Sequence, residues 1–237
     1  MKKLICVTFL LLQSFFVSPS SAALCSSGPL ASYLSAGFSC TIGSLDFSTF
    51  TVLEQPTATV PFTSLIINPI TSAPNEFGLQ FIVNQNASAG SSFEQLIAYR
   101  VGGIGSSINR NTLSFTGASA TGDASVSALE QKCLDGVFAG LDGVSGCTGT
   151  ALNLAVLALE GFPLDPPAFE DFSPVAFLSV VSDIAVDGGL AGAAALTSAT
   201  NLFRTAPAVA VPEPASGALV ALSLTLLLAM RRRAASR

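Results

Sequence analysis

The sequence predicts an all-β protein, an antiparallel β-sandwich with an N-terminal signal helix and a C-terminal single transmembrane helix. Ser, Thr, Gly, Val and Phe recur through the body, turn residues interrupt it at short intervals, and long helical patterns are missing. Phe77, Leu79, Phe81 and Val83 alternate with small or polar residues, as in a half-buried strand. About eight to ten such segments at a spacing of roughly 8 to 12 residues favour a sandwich over a parallel α/β sheet.

The candidate strands follow one another along the body. They are Phe47 to Val52, Thr63 to Ile67, Phe77 to Val83, Phe93 to Val101, Thr112 to Phe115, Ser119 to Ala128, Leu152 to Leu157, Val175 to Val181, Ile184 to Val186 and Ala191 to Phe203. Gly tolerates positive φ, so Asp187-Gly188-Gly189 predicts a hairpin turn before the last strand. Ser127 to Phe138 has a helical alternative, and the alanines after Ala191 would also tolerate a helix.

The first 22 residues have the layout of a signal peptide. Lys2 and Lys3 precede a short apolar run from Leu4 to Val17, and small residues then gather up to Ala22 and Ala23, where signal peptidase is expected to cut. An uncleaved N-terminal anchor is the alternative. A lipoprotein with Cys25 as its lipidated residue is disfavoured, because Leu24 occupies the position at which a lipobox needs Gly or Ala.

The C-terminus is divided into three parts. Residues 205–214 form a linker that ends in a Pro-Glu-Pro motif, residues 215–230 are an uncharged segment, and residues 231–237 are a basic cytoplasmic tail. The motif is Val211, Pro212, Glu213 and Pro214, and the stop-transfer cluster is Arg231, Arg232 and Arg233. A helix over 215–230 would be about 24 Å long, slightly short of a hydrocarbon core of about 30 Å. The arginines are expected on the cytoplasmic side, with the body facing outward.

These three parts together resemble the PEP-CTERM sorting signal. The resemblance implies processing near the Pro-Glu-Pro by an exosortase, an integral-membrane cysteine protease, followed by release or transfer to the cell surface. The opening of the body, from Leu30 to Phe50, also resembles uncharacterised exported proteins with this tail, and implies no activity. The alternative is a permanent single-span anchor with an incidental Pro-Glu-Pro linker. On either reading the protein passes through the inner membrane before it reaches the cell surface or the extracellular matrix.

Four cysteines remain after the signal is removed: Cys25, Cys40, Cys133 and Cys147. An even number in an exported protein predicts disulfides. Three pairings exist, and the two sequence-local pairs, Cys25 with Cys40 and Cys133 with Cys147, cost least in chain ordering. A metal site is disfavoured because there is no CxxC spacing and no histidine.

Charge and composition exclude several functions. The body, residues 23–204, has four basic residues against fourteen acidic ones, a net charge of −10, so nucleic acid is not an expected partner. The absence of histidine excludes Ser-His-Asp, Cys-His and HExxH chemistry. The densest carboxylate cluster, Glu160, Asp165, Glu170 and Asp171, is interrupted by prolines and predicts a solvated loop; on a strand, Glu170 and Asp171 would face opposite sides.

The sequence therefore predicts a non-enzymatic, structural or adhesive protein of the cell surface or matrix. It requires no cofactor, metal or catalytic residue. Its expected partners are signal peptidase, an exosortase-like membrane protease, the membrane through the C-terminal segment and exopolysaccharide. Two alternatives stay open: a glycan- or calcium-binding module, with Asp135 and Asp142 beside the second disulfide loop, and a carboxylate-dependent hydrolase.

Overall fold

A computed structural model describes residues 22–53, 60–62, 64–139, 145–162 and 166–207. The predicted signal up to residue 21, the Pro-Glu-Pro motif, the apolar segment and the arginine cluster lie outside the described residues. The fold belongs to the compact unit Met1–Ala206; the second unit, Pro207–Arg237, contributes only Pro207 to this description. No helix in the described ranges has the length and apolar character needed to cross a membrane.

Fourteen strands and one short helix make up the described fold, so the all-β prediction is confirmed. In chain order they are β1 (Ala23–Leu24), β2 (Gly28–Pro29), α1 (Leu30–Tyr33), β3 (Ser39–Ile42), β4 (Leu45–Val52), β5 (Ile66–Ala73), β6 (Glu76–Ser88), β7 (Ser92–Gly103), β8 (Ser106–Thr116), β9 (Ser119–Thr121), β10 (Ser125–Leu134), β11 (Thr150–Leu159), β12 (Ala168–Val175), β13 (Phe177–Asp187) and β14 (Ala193–Pro207). Since β14 runs to Pro207, the first residues of the predicted linker lie in a strand.

The strands form two sheets. The first sheet has the order β1-β3-β4-β7-β13-β10-β11, and the second has the order β12-β8-β14-β6-β5-β2, with β9 also paired to β14. Antiparallel pairing dominates both, whereas β1 and β3 run parallel. Consecutive strands such as β7 and β8 lie in different sheets, so the chain crosses repeatedly between the two.

The inward-facing side chains of both sheets form one shared core. Side chains alternate between faces along a strand, and in β6 this alternation buries Leu79, Phe81 and Val83. Phe81 of the second sheet lies 6.1 Å from Tyr99 of the first, measured between ring centroids. Phe47 and Phe203 make a second aromatic contact between the sheets, at 6.2 Å. The core is thus apolar over most of its extent and is completed by both sheets.

Two predictions of local structure are wrong. Asp187 to Gly189 does not form a hairpin turn, because β13 belongs to the first sheet and β14 to the second. Gly189 does have the positive φ expected of a turn, 64°, so the turn exists but joins strands that do not pair. The helical alternative for Ser127 to Phe138 is wrong as well, since Ser125–Leu134 is a strand paired on both sides.

Other predicted strands have different bounds in the structure. Ser119 to Ala128 is two strands, β9 and β10, because the chain turns at Gly122, with φ 62°. The Asp123 carboxylate stabilises this turn by accepting hydrogen bonds from the amides of Leu190 and Ala191. Val175 to Val181 spans the end of β12 and the start of β13, and β13 continues through the predicted segment Ile184 to Val186.

Both sequence-local disulfides are present. Cys25 is bonded to Cys40 and Cys133 to Cys147, with Cα–Cα distances of 4.8 and 5.5 Å. The first joins the segment after β1 to β3, and the second joins the end of β10 to the segment that precedes β11. Since disulfides persist in oxidising compartments, they indicate an exported or extracellular protein.

Candidate functional site: a polar cluster between the sheets

Strand β10 places two charged side chains in the apolar core. Its inward-facing positions are Val126, Ala128, Glu130, Lys132 and Leu134, and all five are buried. Glu130 and Lys132 are each 0% exposed. Charges at such positions are costly unless polar partners surround them. The residues that supply these partners define the site, which we call the polar cluster: Tyr99, Asn111, Glu130, Lys132, Glu170 and Asn201.

Lys132 is surrounded by three oxygen-bearing side chains. Its Nζ donates a hydrogen bond of 3.0 Å to Oδ1 of Asn111, on β8 of the second sheet. Oε2 of Glu170 lies 3.2 Å from Nζ, and Oε1 of Glu130 lies 3.9 Å away. The lysine therefore reaches from the first sheet to an amide and a carboxylate of the second.

Two asparagines complete the connection between the sheets. Nδ2 of Asn111 donates to Oδ1 of Asn201 and, at 3.2 Å, to the carbonyl oxygen of Leu202. Nδ2 of Asn201 donates to the hydroxyl of Tyr99, at 2.6 Å, and to Oε2 of Glu130. Asn111 and Asn201 are both 0% exposed. In each asparagine the amide oxygen accepts from one residue and the amide nitrogen donates to others, so the orientation of both amide groups is fixed.

Burial changes the protonation of this cluster. Desolvation raises the pKa of Glu130 to about 8, with the neighbouring Lys132 charge opposing the shift and Glu170 adding to it. Burial, and then the charge of Glu130, raise the pKa of the Tyr99 hydroxyl. Oε1 of Glu130 has no hydrogen-bond partner. Near neutral pH the Glu130 side chain is therefore mostly a neutral carboxylic acid, and it is buried beside Lys132, Asn111 and Asn201.

Glu170 and Asp171 lie on a strand, so the prediction of a solvated loop at these two residues is wrong. They are part of β12, whose pairing with β8 sets Glu170 opposite Asn111 and Asp171 opposite Arg110. As expected for neighbours on a strand, they face opposite sides: Glu170 contacts Lys132 in the core, whereas Asp171 accepts two hydrogen bonds of 2.6 Å from Arg110 outside it. These bonds lower the pKa of Asp171. Of the other two predicted cluster members, Glu160 is exposed and Asp165 lies outside the described residues.

Two grooves on the described surface contain few titratable side chains. A groove of about 380 Å³ is lined by Leu34 to Ser39 and Ser48 to Thr51, without a charged side chain. A second, of about 430 Å³ between Leu134 and Val175, has Asp135 as its one titratable residue. Asp135 accepts hydrogen bonds from the amides of Ala176 and Phe177. Within the described ranges, no group of three or more His, Cys, Asp or Glu side chains is placed to hold a metal ion.

The structure describes only some of the residues singled out in the sequence. The four disulfide cysteines lie where they were expected. The sorting motif, Val211 to Pro214, and the stop-transfer cluster, Arg231 to Arg233, lie outside the described residues, as does Asp142 of the calcium hypothesis.

The polar cluster was not predicted from the sequence. A signal was present, because Glu130 and Lys132 have the same alternation phase as Val126, Ala128 and Leu134 and therefore belong to the buried face of one strand. The partners Asn111 and Asn201 could not be found in this way, since alternation along one strand gives no information about the opposite sheet.

Comparisons with known proteins assign no family. No family model matches the chain, and no curated protein matches it. Among solved structures, it is similar to the crystal structure of the enzymatically active domain of bacteriophage CBA120 tailspike protein 4, at 12% identity and a TM-score of 0.24. That likeness covers 70% of this chain and 20% of the tailspike chain, so the matched part is about a fifth of that protein's length. A likeness of this size assigns neither a fold family nor an activity.

Proposed function

We propose that the chain is an exported, non-enzymatic scaffold of the cell surface or extracellular matrix, with a structural or adhesive role and a β-sandwich body. The observation that carries the proposal is the placement of polar chemistry. Four residues of the polar cluster, Glu130, Lys132, Asn111 and Asn201, are each 0% exposed, whereas the Glu170 side chain is 29% exposed at the edge of the cluster. A substrate has no access to the four buried side chains, and these side chains connect the two sheets.

The disulfides support the cellular location. Both close short loops, with sequence separations of 15 and 14 residues, and the chain-entropy account gives each about 3 kcal/mol. Such bonds stabilise a domain that works in an oxidising compartment. The acidic surface expected from the body's composition supports solubility outside the cell and disfavours nucleic acid.

We further propose that the tail is processed at Pro212-Glu213-Pro214 by an exosortase-like protease, after an inner-membrane intermediate held by residues 215–230 and by Arg231 to Arg233. This rests on the order of the three parts in the sequence. Prolines on both sides keep Glu213 in an extended backbone, the form that a protease cleft binds.

Intact-mass analysis of the protein from a host that carries such a protease tests the sorting proposal. We expect the mature chain to begin near Ala23 and to lack residues 215–237. Pro212→Ala with Pro214→Ala is expected to retain the tail, and neutral replacements of Arg231 to Arg233 are expected to do the same. Pro207→Ala, a proline change outside the motif, is the matched control and is expected to mature normally. Normal processing of the motif variant, or of the wild type in a strain without the protease, would refute the sorting proposal.

Binding of the mature body to a glycan array, with and without calcium, tests the scaffold proposal. A scaffold that acts through multivalent display is expected to retain exopolysaccharide on cells but to show no single-site glycan affinity. Saturable, calcium-dependent binding to one glycan class would instead favour a binding module. Release of sugars from the array would favour the carboxylate hydrolase.

A further inference from the structure

The polar cluster contains the groups required for a covalent bond between the two sheets. Lys132 supplies a primary amine and Asn111 a carboxamide, and the amine lies 3.0 Å from the carbonyl oxygen of that carboxamide. Both residues are 0% exposed, so water does not compete with either group for its partner. We propose that Lys132 and Asn111 form an intramolecular isopeptide bond, which joins β10 of the first sheet to β8 of the second.

The amide is oriented for attack by the amine. Nδ2 of Asn111 is engaged by the Asn201 side chain and by the carbonyl oxygen of Leu202, so its carbonyl side faces Nζ of Lys132. Holding an amine beside a carbonyl group in a fixed geometry converts a slow bimolecular reaction into an intramolecular one. Lysine is an effective nucleophile when it is desolvated.

The reaction needs proton carriers, and two carboxyl groups are within reach. Glu170 lies 3.2 Å from Nζ and accepts its first proton, which leaves a neutral amine. The amine lone pair then bonds to Cγ of Asn111. Glu130, 3.9 Å from Nζ, passes a second proton from Nζ to Nδ2 as the Cγ–Nδ2 bond breaks and ammonia leaves. The third proton of Nζ remains as the amide hydrogen, so the step consumes no oxidant, reductant or other reactant.

The burial of Glu130 suits this transfer of a proton from Nζ of Lys132 to Nδ2 of Asn111. A carboxyl group that is closed to solvent and remains a neutral acid near neutral pH can donate and accept a proton within one step. Its Oε1, which faces Lys132, has no hydrogen-bond partner that would hold it in another role. Neighbouring Asn201 contacts the other oxygen of Glu130 and so sets the orientation of the carboxyl group.

The wild-type protein, reduced and digested after glutamate, provides the test. Without the bond, Asn111 lies in peptide 95–130 and Lys132 in peptide 131–160. With the bond, the two peptides stay joined, and the product is lighter than their sum by one ammonia, about 17 Da. Fragmentation should place the junction at Asn111 and Lys132. Recovery of the two separate peptides from correctly folded, disulfide-bonded protein would overturn the proposal. So would attachment of Lys132 to the peptide that contains Asn201.

Variants then test the assigned roles. Lys132→Arg and Asn111→Ser are expected not to form the bond and to lose no ammonia, so their intact masses should match their sequences. Glu130→Gln removes the glutamate cleavage site, so trypsin is used: free Lys132 gives peptide 111–132, and linked Lys132 gives an uncut peptide 111–204. We expect Glu130→Gln to lose the linked form and Glu160→Gln, an exposed carboxylate away from the cluster, to retain it. Full linkage in Glu130→Gln would exclude Glu130 as the group that transfers this proton.

Discussion

Replacing Glu130 by glutamine, which does not titrate, is expected to remove a large part of the pH dependence of stability. Burial raises its pKa from 4.5 to about 8, so between these values the folded protein holds a proton that the unfolded chain releases. Stability therefore falls as pH rises through this window, by up to about 1.4 kcal/mol per pH unit. The whole window corresponds to about 5 kcal/mol as an upper bound, since local relaxation around a buried charge reduces it.

Urea unfolding of the disulfide-bonded protein between about pH 5 and pH 8 measures this effect. Asp183 must be controlled because burial and the nearby Glu94 raise its pKa to about 7, in an overlapping window and with the same sign. We therefore compare Asp183→Asn with Asp183→Asn/Glu130→Gln. The first is expected to lose at least about 2 kcal/mol over this range and the second to be nearly flat.

Only the slope with pH is compared. An isopeptide bond would remove the Lys132 charge that opposes the Glu130 shift, so it would steepen the fall of stability with pH and leave the sign of the slope unchanged. Parallel curves for the two proteins would refute the assignment of a buried neutral acid at Glu130. A slope that rises with pH would refute its sign.

Two further changes probe the framework around the cluster. Replacing Cys133 and Cys147 by serine should lower the free energy of unfolding by about 3 kcal/mol, measured by urea unfolding under oxidising conditions; an unchanged midpoint would show that the bond does not constrain the unfolded chain. Gly78→Ala places a Cβ against the carbonyl oxygen of Asn201 on the paired strand and should cost about 1 to 3 kcal/mol in the same assay, whereas Gly102→Ala, with open space at its Cβ, should cost clearly less. Equal effects of the two alanines would contradict the close approach of β6 and β14.

Strands and faces could be predicted from the sequence because both follow from alternation along a single segment. Phe77 to Val83 is an example: its period of two identifies the strand and the side that is buried. The pairing of the strands could not be predicted. Asp187 to Gly189 has the turn residues of a hairpin, but those residues determine only a reversal of the chain and not the sheet that the next strand joins.

The residues of the polar cluster could likewise be predicted only in part. Its two residues on β10 were detectable, because Glu130 and Lys132 occupy buried positions of a strand. Their burial is tolerated because of Asn111, 21 residues from Lys132 in the chain, and Asn201, 71 residues from Glu130. Both asparagines reach the cluster only through the second sheet. The disulfides were predictable for the opposite reason, since short loops favour closure irrespective of the rest of the fold.

The position of β14 has a mechanical consequence. It is the last described strand, it lies between β8 and β6 inside the second sheet, and it leads directly into the C-terminal segment. If the proposed anchoring by that segment is correct, tension would enter along an interior strand that is hydrogen-bonded on both sides. A pull along the direction of β14 would then load many of its ladder hydrogen bonds at the same time.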